Sequence, residues 1–76
     1  MEIGDVLKLT TFHYGFAETV KIIDKTCHGY QAEMTWNTGD VQVRSFPFNP
    51  SWIKHYTIIE YGPKSMLRKK LTNETI

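Results

Sequence analysis

Apolar and polar side chains alternate along residues 29–36, and this alternation is the clearest pattern in the chain. Tyr30, Ala32, Met34 and Trp36 share one parity, and the residues between them are polar. A period of two is typical of a β-strand that buries one face and exposes the other. We therefore predict a strand whose apolar face carries these four side chains.

A turn follows this strand. Residues 37–40 read Asn-Thr-Gly-Asp, and the glycine can adopt a positive φ without steric cost. Val41 and Val43 then resume the alternation, which predicts a β-hairpin over residues 29–43 with both valines facing inward. The full predicted core comprises Tyr30, Ala32, Met34, Val41, Val43, Leu7, Leu9, Val20, Ile22, Ile53 and Ile58.

Two further strands are predicted before the hairpin, over residues 6–12 and 18–25. The loop between them carries aromatic residues around a central glycine, which an ordinary solvated turn does not need. Ile22 and Ile23 are adjacent and break the alternation of the second strand. We predict a β-bulge there that lets both isoleucines face apolar surface.

Proline residues mark the end of the hairpin. Two of them follow Phe46 closely, so the strand is predicted to end near that residue. Asn49 suits a helix cap and Pro50 the first helical position. The segment 51–55 is too short for an α-helix and predicts one 3₁₀ turn before a last strand over residues 56–61.

The charge of the chain is unevenly distributed. Its 76 residues suffice for one domain. Residues 1–61 carry five basic and seven acidic side chains, whereas residues 62–76 carry four basic and one acidic. We predict a β-barrel over residues 1–61 and a flexible basic tail over residues 62–76. The basic residues of the predicted tail are Lys64, Arg68, Lys69 and Lys70.

The cellular compartment is predicted from the cysteine content and the N-terminal residues. Cys27 is the only cysteine, which fits a reducing environment. The first residues are acidic and lack the apolar stretch of a signal peptide. No apolar run approaches the roughly 20 residues that a membrane helix needs. We expect a cytoplasmic protein without membrane contact.

The order strand, aromatic loop, three strands, 3₁₀ turn, strand resembles the SH3-like barrel over residues 3–61. The Ile-Gly-Asp-Val-Leu opening at residues 3–7 and Trp52-Ile53 before the last strand are similar to its Tudor and KOW subset. The resemblance implies an all-β, five-stranded, partly open barrel that binds protein, RNA or DNA, or serves as a structural subunit. In size and style the chain is also similar to small phage-encoded accessory proteins that bind a host factor.

No catalytic or metal-binding motif is present in the sequence. His13, His28, His55 and Cys27 lack the spacing of a metal site, and no glycine-rich phosphate loop occurs. We expect Cys27 to be a semi-buried structural residue rather than a nucleophile. The sequence therefore predicts a protein that is not an enzyme, with no cofactor, no metal and no catalytic residues.

Protein binding is our leading functional hypothesis. The chain has ten aromatic residues, more than a small barrel can bury, and this surplus suggests an exposed binding patch. We expect a small non-catalytic module that docks a protein partner, and an accessory or inhibitor of a host factor is one form that such a module takes. The predicted partner-binding residues are Tyr14, Phe16, Phe48 and Trp52.

Three other interactions remain open. The alternative function is nucleic-acid binding, with phosphates bound by Lys64, Arg68, Lys69 and Lys70 and bases stacked on loop aromatics. The exposed edge of an open barrel predicts either a monomer or a weak homodimer. A less favoured option is a cage for a methylated cation, built from Phe12, Tyr14, Phe16, Trp36 and Asp40.

Overall fold

The computed structural model describes residues 1–64, which form an all-β fold as predicted. Its strands are β1 (Val6–Leu9), β2 (Thr19–Lys25), β3 (Gly29–Thr35), β4 (Val41–Pro47) and β5 (Tyr56–Glu60). One 3₁₀ turn, Ser51–His55, precedes β5, so the predicted order of elements is confirmed. The five strands form one antiparallel sheet in the order β4-β3-β2-β1-β5. Among the described strands the sheet is open, with β4 and β5 at its edges.

The core lies on one face of this sheet. Its buried apolar side chains are Leu7, Ala17, Val20, Ile22, Tyr30, Ala32, Met34 and Phe46. Six of these eight belong to the predicted core, whereas Ala17 and Phe46 do not. The predicted core residues Ile53 and Ile58 are half-buried and pack against the cluster, and Leu9 is also half-buried.

Val41 and Val43 are 54% and 55% exposed, so the prediction that they face inward is wrong. The cause is the length of the turn. Gly39 N donates to Trp36 O, and Trp36 N donates to Asp40 O, which leaves a loop of three residues with Gly39 at φ 93°. An odd loop length pairs each β3 residue with a β4 residue of the same parity.

The register of the hairpin shows the consequence. Val41 pairs with Thr35 and Val43 with Glu33, so both valines lie on the outer, polar face of the sheet. Arg44 pairs with the buried Ala32 instead and shares the inner face. β4 therefore presents a polar residue where the sequence pattern predicts an apolar one.

The predicted irregularity in β2 is confirmed, because the β2–β3 register shifts between Ile22 and Asp24. Ile22 is fully buried. Ile23 is 37% exposed, so the expectation that both isoleucines face apolar surface is wrong. A bulge adds one residue to a single strand, and here that residue turns towards solvent.

The elements differ from their predicted limits by a few residues. β1 ends at Leu9 rather than residue 12, and β4 continues through Pro47, which lies on an edge strand where a missing N–H is tolerated. Pro50, not Asn49, is the N-cap of the 3₁₀ turn, and no side chain caps it. The turn is closed by Ile53 N donating to Pro50 O over 3.2 Å.

The chain remains attached to the sheet one residue beyond the predicted end of the barrel. Asp5 is fully buried, and its carboxylate accepts from Glu2 N at 2.8 Å and from Gly62 N at 2.7 Å. A Cβ on Gly62 would collide with the carbonyl of Ile3, so this close approach requires glycine. Of the predicted tail, residues 65–76 lie outside the described part.

Candidate functional site

The loop of residues 10–18, which we call the aromatic loop, connects β1 and β2 and is tied to the sheet by two side chains. Trp36 Nε1 donates to Gly15 O at 3.1 Å, and the Tyr56 hydroxyl donates to Ala17 O. Burial raises the pKa of the Tyr56 phenol above its ordinary value of 10.0, so the group is a protonated donor at neutral pH. Donors on β5 and at the end of β3 thus hold the loop in place.

The aromatic loop is also packed against the 3₁₀ turn. The rings of His13 and His55 lie 4.5 Å apart, and Phe16 contacts them at 5.4 and 5.5 Å. Thr10 donates to the carbonyl of His55 from both its backbone N and its hydroxyl. Phe16 is therefore half-buried and held between two elements.

A cleft opens beside the aromatic loop on the inner side of the sheet. We call this cavity of about 190 Å³ the aromatic groove. Its floor reaches the core at Met34 and Ala17, so it is backed by rigid, buried structure. Its lining consists of Gly15, Phe16, Ala17, Met34, Trp36, Arg44, Trp52 and Tyr56.

A second, larger depression of about 520 Å³ adjoins the first, and we call it the outer groove. The two share Gly15, Phe16, Trp36 and Arg44, so they form one continuous surface. The side chains that line only the outer groove are Phe12, Tyr14, Asn37, Thr38, Asp40 and Gln42. Tyr14 is 95% exposed at its rim.

A cation lies at the junction of the two grooves. The Arg44 guanidinium is 5.0 Å from the ring centre of Trp36. Gln42 Oε1 accepts from Arg44 Nε at 3.0 Å and from Nη2 at 2.6 Å. The exposed Arg44 thus lies over the Trp36 ring, and Asp40 in the outer groove supplies the opposite charge.

The predicted partner-binding residues are only partly brought together. Phe16 and Trp52 line the aromatic groove, and Tyr14 and Phe16 line the outer groove. Trp52 is half-buried and packs against the core. Phe48 is 39% exposed and lines neither groove.

A row of ring contacts leads from Phe48 to the aromatic groove. Its ring packs edge-on against Tyr30 at 5.2 Å, Tyr30 contacts Phe46, and Phe46 contacts Trp52 at 4.9 Å. Trp52 then contacts Tyr56 at 5.4 Å. This row of rings separates Phe48 from the three predicted site residues at the grooves.

Five cage residues of the methylated-cation hypothesis all line the outer groove: Phe12, Tyr14, Phe16, Trp36 and Asp40. The face of the Trp36 ring, however, is already in contact with the guanidinium group of Arg44. A second cation approaching that ring would meet electrostatic repulsion from the guanidinium. The outer groove is therefore better suited to neutral or anionic groups next to Trp36.

Arg44, Gln42 and Tyr56 are groove residues that sequence reasoning did not select. The alternation of the hairpin assigned Val41 and Val43 to the inner face, which put Gln42 and Arg44 outside. Counting the loop as three residues would have reversed that assignment. No comparable local signal marks Tyr56, whose role depends on contact with a distant loop.

Of the predicted nucleic-acid-binding residues, the structure describes Lys64, which is exposed. Arg68, Lys69 and Lys70 lie outside the described residues. The nearest formal charges of the grooves are Arg44 and Asp40, which are of opposite sign. The groove surface is thus close to neutral by itself.

Residues 1–64 contain no group of three or more His, Cys, Asp or Glu side chains that could hold a metal ion. It contains no helix that is long and apolar enough to span a membrane. Cys27 is an exposed free thiol, so the expectation of a semi-buried cysteine is wrong.

The resemblance to SH3-like barrels rests on the sequence pattern and stays a prediction. No protein-family model, curated protein or solved structure matches this chain.

Proposed function

We propose that this domain is a non-catalytic binding module that docks a segment of a protein partner across the aromatic and outer grooves. The observation that carries the proposal is a continuous cleft with Phe16, Trp36 and Trp52 in its walls and Tyr14 at its rim. Trp, Tyr and Arg are the residue types that dominate binding energy in protein interfaces. Arg44 supplies the third of these types at the centre of the surface.

Rigidity of the cleft supports this proposal. Hydrogen bonds from Trp36 and Tyr56 fix the aromatic loop, and the two histidine rings hold Phe16. Side chains that are ordered before binding lose less conformational entropy when a partner arrives. A cleft with these restraints can bind an apolar side chain at small entropic cost.

The shape and charge of the cleft favour a peptide as the ligand. The aromatic groove of about 190 Å³ accommodates one apolar side chain, and the adjoining outer groove of about 520 Å³ has room for neighbouring residues of the same segment. The formal net charge of the chain is +1, and the grooves themselves hold one cation and one anion. A dedicated nucleic-acid domain carries a stronger positive field.

The proposal extends to the setting of the domain. An exposed free thiol at Cys27 is compatible with a reducing compartment, and we place the protein in the cytoplasm on that basis. The partner would then be a cytoplasmic protein. An accessory or inhibitory action on a host factor is the role that fits a module of this size.

Peptide selection tests the proposal. A library of peptides from cytoplasmic proteins is panned on the immobilised domain, and the recovered peptides are measured against Phe16→Ala and Tyr14→Ala. We expect each variant to weaken binding by about tenfold or more, because such anchors often contribute about 2 kcal/mol. The Tyr14→Ala variant is informative about contact alone, since a side chain that is 95% exposed adds little to folding.

Phe48→Ala is the matched control, because it removes an exposed ring that lines neither groove. We expect it to bind the selected peptides as the wild type does, with melting curves used to verify that each variant is folded. Equal binding by wild type, Phe16→Ala and Tyr14→Ala would overturn the proposal. A loss of binding with Phe48→Ala alone would place the site at the opposite end of the row of rings.

A further inference from the structure

β4 is an edge strand that can accept another strand between Val41 and Ser45. Among residues 1–64, no strand pairs with its second edge, and its register with β3 runs from Val41 to Pro47 without a shift. Val41 and Val43 are more than half exposed on its outer face. Edges in soluble monomers are generally blunted by charged side chains, proline or bulges. In β4 the one charged residue is Arg44 and the one proline, Pro47, is the last residue, so residues 41–46 have neither a missing N–H nor a bulge.

The peptide groups that point away from β3 can be assigned from the turn. Trp36 N donates to Asp40 O, so this pair is hydrogen-bonded. Hydrogen-bonded and non-hydrogen-bonded pairs alternate along an antiparallel ladder. The N–H and C=O groups of Val41, Val43 and Ser45 therefore point outward, towards the free edge.

The partner strand confirms this assignment independently. Thr35 stands opposite Val41, and its carbonyl accepts from Glu18 N at 2.8 Å on the β2 side. A residue whose peptide groups face β2 cannot bond to β4 with the same groups. Val41 is thus in a non-hydrogen-bonded pair, as the alternation requires.

The outward groups of β4 are symmetric about Val43, with Val41 and Ser45 two residues to either side. We propose that β4 is the interface of a two-fold dimer, in which β4 of a second copy of this chain pairs antiparallel about Val43. Val43 then lies opposite Val43 of the second copy, and Val41 lies opposite its Ser45. Three hydrogen-bonded pairs supply about six backbone hydrogen bonds.

Side-chain charges favour this register over its neighbours. On the inner face, Arg44 lies opposite Gln42 of the second copy, and its two diagonal neighbours there, about 7–8 Å away, are Asp40 and Arg44. The attraction between Arg44 and Asp40 occurs twice by symmetry, whereas the repulsion between the two Arg44 side chains occurs once. A shift towards residue 44 would place the two Arg44 side chains opposite each other, which is destabilising.

The opposite shift, towards residue 42, is limited by the backbone. It would pair Ser45 with Gly39 of the second copy, and Gly39 has a φ of 93° that does not continue a strand. That register retains fewer pairs within β4. Pairing about Val43 uses all three outward-facing residues that can both donate and accept.

Such a dimer has a consequence for ligand binding that rests on the proposed function. A two-fold axis perpendicular to the sheet keeps the inner faces of both copies on the same side. Gln42 and Arg44 of β4 line the outer groove, so the two outer grooves lie next to the axis. The assembly would present two binding clefts on one surface, which increases avidity for a partner with two docking segments.

Cysteine crosslinking tests the pairing residue by residue. In a Cys27→Ser background, which removes the exposed native thiol, the Val43→Cys variant is oxidised under mild conditions. We expect disulfide-linked dimers, because Cα atoms in a hydrogen-bonded antiparallel pair lie about 5.5 Å apart, within the range of a disulfide.

Val41→Cys is the matched control, since Val41 is as exposed as Val43 and lies on the same face. Its two copies would be about 14 Å apart along the strands, too far to crosslink. The Val41→Cys/Ser45→Cys double variant is expected to crosslink again. Equal yields from the two single variants, or no dimer from Val43→Cys, would overturn the proposed register.

Sedimentation of the wild type and of Val43→Lys tests the dimer without crosslinking. We expect the wild type to associate with increasing concentration, and Val43→Lys to raise the dissociation constant at least tenfold, because two ammonium groups would face each other. Circular dichroism verifies that Val43→Lys is folded. The proposal would be contradicted if the wild type stayed monomeric at every concentration reached. It would also be contradicted if the Val43→Lys variant dimerised as strongly as the wild type.

Discussion

β3 and β4 are paired over seven positions, yet they serve different purposes in the molecule. β3 buries Tyr30, Ala32 and Met34 between two neighbouring strands, whereas β4 buries only Phe46. Alternating apolar residues occur in both strands, so composition does not explain the difference. The difference is explained by the position of each strand in the sheet and by the parity that the turn sets. β3 is a central strand and contributes to the core, whereas β4 exposes most of its side chains and one backbone edge.

The strongest test of this comparison is a pair of truncations, one in each strand. Met34→Ala should lower the free energy of unfolding by about 2–5 kcal/mol, because it leaves a cavity in the core. Val43→Ala should lower it by less than about 0.5 kcal/mol, because the side chain is already 55% exposed. Urea denaturation measures both, and equal losses would show that the assigned parity of β4 is wrong.

The turn between the strands offers the next largest effect. Gly39 has a φ of 93°, and a Cβ at this position would have no atom within 4 Å. Gly39→Ala should therefore cost about 1–2 kcal/mol from backbone strain alone, without any steric clash with neighbours. Gly39→Asn is the control, since asparagine tolerates this conformation better. If the Gly39→Ala variant were as stable as the wild type, the three-residue turn would be contradicted.

Tyr56, the first residue of β5, holds the aromatic loop over the groove through its hydroxyl group. Tyr56→Phe should cost about 0.5–1.5 kcal/mol at neutral pH through loss of the hydrogen bond to Ala17 O. The folded-state pKa of Tyr56 is raised above 10.0 by burial, so this contribution is fully present below pH 10.0. It is lost as pH rises through the folded-state pKa.

The difference in stability between wild type and Tyr56→Phe should therefore shrink above pH 10.0. Urea titrations of both proteins at neutral and alkaline pH measure it. A difference that grows with pH would mean that the ionised phenol is the form that the folded state prefers.

Removal of the C-terminal residues should have the smallest effect. Within residues 1–64, the core and the half-buried side chains packed against it lie between Met1 and Ile58, so deletion of residues 64–76 is expected to change the free energy of unfolding by less than about 0.5 kcal/mol. The deletion keeps Gly62, which donates to Asp5. A truncated protein without a cooperative thermal transition would show that those residues are structural.

Local patterns in the sequence predicted much of the fold. The alternation through Tyr30, Ala32 and Met34 identified a buried face, and adjacent Ile22 and Ile23 identified the irregularity in β2. Glycine and proline residues marked the order of the elements. These features could be predicted because each depends on neighbours within a few residues of the chain.

Features that depend on pairing between segments were missed. The parity of β4 follows from the number of loop residues and not from Val41 or Val43 themselves. Arg44 became a groove residue through that same parity. Phe48 was grouped with Trp52 because both follow β4 closely in sequence, yet a row of other rings separates it from the grooves.

In the proposed function, exposed aromatic side chains rather than basic residues bind the partner. The decisive measurement is the salt dependence of affinity for two probes, a peptide selected on the wild type and a single-stranded oligonucleotide. We predict that the peptide binds with an affinity that changes by less than about threefold between low and high salt and falls about tenfold in Phe16→Ala. Neutralising Lys64, Arg68, Lys69 and Lys70 should leave it unchanged.

The opposite result would be binding that depends on the basic residues. Preferential binding of the oligonucleotide would contradict the claim if affinity fell steeply with salt, by a log–log slope of about −0.7 for each phosphate contact on a single strand. That binding would also have to vanish when Lys64, Arg68, Lys69 and Lys70 are neutralised and persist unchanged in Phe16→Ala.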